Sequence, residues 1–422
     1  MNRLRHFVLC GMTNRKNSKR RFKIYKKLYF MTVRVFFLFF ILFTSLFSCC
    51  PDDDPQPLKE TEQTLFLYMP WSTNLTSYFQ RNISDIEKAI QEKGLENERV
   101  LVYLMTSPTE ASLFELVNEN GNSNRTILKN YLNPVFTAAN GITSIIKDVI
   151  SFAPARRYAM IIGGHGMAWL PVGSDSNDVN PRSYQKNYWE YENVPLTRFF
   201  GGTSPEYQID IATLAEGIYN SGIKMEYILF DDCYMSSIEV AYDLKNVTDY
   251  LIASPTEIMA HGFPYDIIGE YLFGDVNYQA ISEVFYEFYQ SYTIMPCGTI
   301  GIIKCSELDA LASVMKEINQ SFDFDPLLLD SVQPLDGFAP VIFFDCGDYV
   351  AKLCPDSVLF QKFMACLDRA VPPQLRKNTQ YYYSMSGGMK KIKAFSGVTI
   401  SDPSINVKAA EKTTTAWYKA TH

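Results

Sequence analysis

Two short stretches of the chain hold residues that can act as a nucleophile and its base. The first is IIGGHGMAW, 161–169, which contains His165, one of four histidines in 422 residues. The second is ILFDDCYMSSIEVAY, 228–242, which contains Cys233. Cysteine attacks as its thiolate and so needs a base or a positive neighbour, and an imidazole can be either. Such a pair is remote in sequence and meets only in the fold. Glycine has no Cβ and tolerates positive φ, which lets backbone approach a substrate closely. The N–H groups of Gly166 and Cys233 are therefore the candidate oxyanion donors for an attacked carbonyl. Taken singly, a cysteine at a strand end is usually core packing and a histidine after two glycines is usually structural. Their placement on successive strand ends raises the catalytic reading above either.

The elements that must position them follow from hydrophobic periodicity. Apolar runs at 64–71, 99–105, 157–166, 225–233, 249–255 and 298–305 read as strands. Segments with helical spacing lie between them, at 76–94, 141–154, 209–222 and 236–244, with two more in 265–292 and another from 307. The stretch from 111 to 131 begins as a hairpin. Continuously apolar strands alternating with amphipathic helices predict an α/β/α sandwich with a mostly parallel central sheet. Ligands in such folds bind at the carboxyl ends of strands, where His165 and Cys233 both fall. The main domain is expected over 63–324. Residues 325–422, with helices and short strands, form a smaller C-terminal subdomain packed on it.

Composition narrows the functional classes. A hydrophobic content of 47% supports a substantial core, and a net charge of -7 argues against a nucleic-acid binder. The N-terminus differs from the body. Residues 1–30 are basic and read as a mis-assigned extension or a long n-region, with Met31 a more natural start. Residues 31–49 read as a signal peptide ending in Leu46-Phe47-Ser48-Cys49, which resembles a bacterial lipobox with Cys49 as the lipidated residue. The acidic stretch 50–62 is a flexible tether and resembles the surface-export signal of Bacteroides-group lipoproteins. The protein is thus expected to be exported and lipid-anchored, at the outer membrane or cell surface. Nine cysteines occur and none forms a C-x-x-C pair. Free thiols are expected at Cys233, Cys297, Cys305, Cys346, Cys354 and Cys366, with Cys297 and Cys305 packed in the core.

The stretches IIGGHGMAW, ILFDDCYMSSIEVAY and YLIASPTEIMAHGFPYD together resemble the clostripain family of cysteine peptidases, relatives of caspases, gingipains and legumain. The likeness runs from about 62 to 305 and more weakly beyond. It implies a caspase-like fold with His165 and Cys233 as a catalytic dyad, acting on protein or peptide substrates through a thioester. It also implies a preference for Arg or Lys before the cut, read by Asp231, two residues before the nucleophile. The alternative for Asp231 or Asp232 is to cap a helix or hold the loop. The chain departs from the family in having HGFPYD where a Gly-Trp segment is common, which leaves Glu257 and Asp266 as substitute acids, although a solvated loop or helix-start charge is the favoured reading of each. His261 in that stretch reads as a loop residue.

Relatives often mature by cleaving themselves, and Arg182, Lys186 and Arg198 in the long insert are the candidate sites. With no basic doublet there, an uncut ordered lid is the favoured expectation. No cofactor or metal site is expected. The acidic GSDSNDVN stretch offers loose calcium contacts but lacks the EF-hand glycine and glutamate. The competing function is a catalytically inactive surface lipoprotein that keeps the fold and uses its cleft for binding.

Overall fold

The computed structural model of the chain describes residues 61–119, 122–172, 200–293 and 295–422. The expected leader with Cys49, nearly all of the tether, the acidic 173–180 stretch and the candidate cleavage residues Arg182, Lys186 and Arg198 lie outside the described residues.

In chain order the first elements are β1 (Gln63–Met69), α1 (Thr76–Lys93), β2 (Glu98–Ser107), β3 (Glu110–Glu119) and β4 (Asn122–Leu132). Next come α2 (Ala139–Phe152), β5 (Arg157–Gly163), α3 (Ile211–Ser221), β6 (Met225–Asp231), α4 (Ile238–Leu244) and β7 (Thr248–Ala253). Then follow α5 (Tyr265–Ile268), α6 (Tyr278–Ser291), β8 (Thr299–Lys304) and α7 (Leu308–Ser321). The C-terminal region supplies β9 (Phe344–Asp345), α8 (Cys346–Leu353), α9 (Ser357–Ala370), β10 (Arg376–Asn378), β11 (Tyr381–Ser384), β12 (Gly388–Lys391), β13 (Thr399–Ile400) and α10 (Ala416–Thr421).

The main sheet has nine strands in the order β10-β8-β7-β6-β5-β1-β2-β3-β4. Its centre, β7-β6-β5-β1-β2, is parallel throughout. All seven residues of β1 are buried, as a strand covered on both faces requires. Helix α1 buries Phe79, Ile83, Ile86 and Ile90 on one stripe and ends at Gly94, whose φ is 83°. Helices α1, α5 and α6 pack together as one group, and α2, α3, α4, α10, α7 and α9 as another.

Both sheet edges are antiparallel. The β3–β4 hairpin extends one edge, and β8 runs antiparallel to β7 at the other. An apolar strand reads the same in either direction, so the sense of β8 is set only by how its connection packs. The C-terminal region enters the sheet itself, because β10 pairs with β8. The described residues, from 61 onward, form one compact unit.

Candidate active site

Strands β5 and β6 are neighbours, and Gly163 pairs with Asp231 at their ends. His165 and Cys233 each lie two residues past that pair, so the register alone brings their loops out side by side. Both residues are fully buried. The His165 backbone N–H donates to Gly201 O at 3.1 Å. Its imidazole Nε2 lies 2.7 Å from Asn74 Oδ1. The Cys233 sulfur accepts the Ile258 N–H at 3.3 Å.

The glycines do a different job from the one conformational freedom suggested. Neither Gly163 nor Gly166 has positive φ. A Cβ on Gly166 would lie 2.3 Å from Cys233 O and 2.9 Å from Cys233 N, inside any tolerable contact. A Cβ on Gly163 would lie 2.9 Å from the Phe79 ring. Gly166 needs the absence of a side chain because the His165 loop lies directly on the backbone of Cys233, and Gly163 because the Phe79 ring packs over it. Asp232 ties the same two loops together, its Oδ1 accepting the Gly164 N–H at 2.5 Å.

Asp231 is fully buried at the end of β6, and its Oδ1 accepts the Phe263 N–H at 3.1 Å. Gly262, with φ of 75°, crosses over that carboxylate; a Cβ there would come within 2.4 Å of Oδ2. The HGFPYD loop is therefore folded against Asp231. His261 stacks on Phe288 with ring centroids 5.1 Å apart, and its carbonyl accepts from the Asn82 side chain at 3.1 Å. Asp266 lies in the first turn of α5 and pairs with Lys88 at 3.3 Å, partly exposed.

Glu257 is not the solvated loop charge expected as one alternative. It is buried, and accepts from the Tyr234 hydroxyl at 2.5 Å, the Ser384 hydroxyl at 2.7 Å and the Met385 N–H at 2.9 Å. Burial raises its pKa above the ordinary carboxylate value, against those donors. Tyr234, next to Cys233, has φ of 62°, and its ring packs on Phe343 at 5.0 Å. A non-glycine residue held there is strained, and the surrounding structure must hold it.

That support comes from the C-terminal region. The Ser236 hydroxyl donates to Gly397 O at 2.7 Å, and the Thr399 N–H donates to Ser236 O at 2.9 Å. Glu239 in α4 accepts from the Ser401 N–H at 3.1 Å and pairs with buried Lys412 at 3.2 Å. On the other loop, the Trp169 indole N–H donates to the Ser401 hydroxyl at 3.1 Å. Both candidate catalytic loops thus rest on residues 384–412.

None of the six body cysteines forms a disulfide, and all are buried. Burial pushes the Cys297 and Cys305 thiols up to about 12, and Cys346 well above its usual value, so these three are held neutral. Asn74 was not foreseen. It lies in a polar loop, and the signal that could have found it is topological: β1 is the other neighbour of β5, so the loop after β1 must pass beside His165.

A nine-stranded, mostly parallel sheet between helices, with its loops gathered at the strand ends, is the caspase-like α/β/α sandwich of cysteine peptidases. The clostripain family profile matches residues 67–325, and the chain belongs to that family of cysteine peptidases. A secreted C11 cysteine protease from Bacteroides thetaiotaomicron, "iotapain", is 56% identical; the match covers 86% of this chain and 99% of that one, with a TM-score of 0.79. A clostripain from the same species, in complex with the peptide inhibitor BTN-VLTK-AOMK, is 61% identical over 53% of this chain and 99% of that one, with a TM-score of 0.52. An inactive zymogen C11 protease from Parabacteroides distasonis is 26% identical over 85% of this chain and 98% of that one, with a TM-score of 0.69. The comparison with curated proteins returned no match.

Proposed function

We propose that this peptidase is an endopeptidase that works through a Cys233–His165 dyad and cuts after Arg or Lys. The observation that carries the reading is the Gly163–Asp231 register, with Gly166 lying on the backbone of Cys233. In the proposed sequence the Cys233 sulfur attacks the scissile carbonyl carbon. The N–H groups of Gly166 and Cys233 hold the oxyanion. Collapse breaks the C–N bond, and His165 gives its proton to the departing amine. Water then attacks the thioester, releasing the acid and restoring the thiol.

Asp231 is the proposed acid for a basic side chain. Its buried carboxylate stands two residues from the nucleophile, where a guanidinium or ammonium gains most from a charged acceptor. The inhibitor bound to the 61% identical clostripain carries VLTK, ending on the residue type proposed here. A fluorogenic peptide library, run beside Cys233→Ala, tests the whole reading. Activity lost in the variant, with Arg or Lys before the cut, is expected; activity retained without Cys233 overturns the dyad. Another side-chain preference would keep the dyad and remove Asp231 from its role.

The proposed location is the cell surface or outer membrane, through a lipid on Cys49, supported by the sequence before residue 50 and by a similar protease described as secreted. Metabolic labelling with an alkynyl fatty acid should mark the protein and fail in Cys49→Ala. An equally unlabelled wild type would remove the anchor.

A further inference from the structure

We propose that Asn74 is a positioning residue for His165, holding one ring tautomer so that Nδ1 is the nitrogen that exchanges a proton with Cys233 and the leaving amine. The inference rests on the dyad reading and adds a third member to it.

The amide oxygen of Asn74 lies 2.7 Å from His165 Nε2. An amide oxygen only accepts, so Nε2 carries a hydrogen and donates it. In the neutral ring the lone pair then resides on Nδ1. When His165 takes the thiol proton, both nitrogens are protonated and the Asn74 oxygen still accepts from Nε2. The contact therefore serves both states of the cycle and orients the ring throughout.

Asn74 is itself held by a strained turn. Thr73 has φ of 70°, a conformation a β-branched residue rarely adopts. Its hydroxyl oxygen accepts from the Thr203 N–H at 3.3 Å and lies 3.2 Å from the Thr203 hydroxyl. The Asn74 N–H closes the turn on Ser72 O at 2.8 Å. Two residues from Thr203, Gly201 O accepts the backbone N–H of His165. One segment, 201–203, thus secures both the histidine backbone and the turn that delivers Asn74. Strain held in place at a contact of this kind marks a position kept for its geometry.

The first readout is the tautomer. Nitrogen NMR of histidine-labelled protein, with His165 assigned by its loss in His165→Gln, should show the hydrogen on Nε2 in the wild type. Asn74→Ala should give a mixture of tautomers. The second is kinetic. Asn74→Ala should lower kcat roughly 10- to 100-fold with KM nearly unchanged, since only the alignment of the proton-transfer group is lost. Asn74→Asp puts a carboxylate on the Nε2 hydrogen and favours the imidazolium. Its alkaline limb of kcat/KM should move up in pH while that of Asn74→Ala moves down. Opposite movements in two variants do not arise from general loosening.

Wild-type tautomer and pH profile in both variants would overturn the proposal, as would a wild-type ring with its hydrogen on Nδ1. The NMR readout does not require turnover. If the wild type hydrolyses no peptide yet shows the Nε2 hydrogen, lost in Asn74→Ala, the positioning contact stands and the endopeptidase reading fails.

Discussion

Gly166→Ala isolates the contact on which the site is built. The new methyl would start 2.3 Å from Cys233 O, and real Cβ contacts do not fall below 3.0 Å, so the two loops must part by at least about 0.7 Å. The obstructing atoms are backbone on one side and the Asp232 Cβ on the other, so no flexible side chain can swing away. Overpacking of this kind costs about 1–3 kcal/mol of stability. A displacement approaching 1 Å between reacting groups costs on the order of 100-fold in rate. The expected result is a folded enzyme with a Tm lower by several degrees and kcat/KM down roughly 10- to 100-fold. The assay is peptide hydrolysis beside thermal unfolding, run against the wild type and Cys233→Ala. Undiminished activity together with an unchanged Tm would refute the reasoning, because it would mean that the two loops are not in backbone contact.

Three further outcomes follow from buried charges around the site. Lys412→Ala leaves Glu239 buried without its cation and should destabilise the fold by about 3–5 kcal/mol, measured by denaturant unfolding; a wild-type midpoint would remove the pair from the supports of α4. Asp336 accepts the N–H groups of Phe338, Ile342 and Phe343, yet burial, helped by Glu257, raises it from 3.8 to about 7. The folded state then holds a proton that the unfolded chain has released, so Asp336 should make stability fall as pH rises from about 4 to about 7, a slope that Asp336→Asn abolishes. A pH dependence in Asp336→Asn identical to the wild type would exclude this origin. Asp231→Asn keeps an oxygen for the Phe263 N–H and removes the charge, so kcat/KM for Arg or Lys substrates should fall by the equivalent of about 2–5 kcal/mol, far more than for neutral ones. Equal losses for both classes would assign Asp231 to the loop alone.

Much of this protein was legible before folding was considered. Continuous apolar runs and 3.6-residue periodicity are local properties, and they marked the strands and helices that carry His165 and Cys233. The pattern "strand, then His-Gly; strand, then Asp-Asp-Cys" is also local, and with the family likeness it pointed to a cysteine peptidase of caspase-like fold. Other features depend on which elements become neighbours, which periodicity does not encode. Only the strand order brings the loop after β1, and with it Asn74, beside His165. Only packing shows that Gly166 is needed for space rather than for φ, since conformational freedom and close approach call for the same residue. Glu257 looked like a loop charge because its partners, Tyr234 and Ser384, are 23 and 127 residues away in sequence. The sense of β8 and the entry of β10 into the sheet were likewise decided by tertiary structure, because a strand's hydrogen-bonding edge accepts a partner running in either direction.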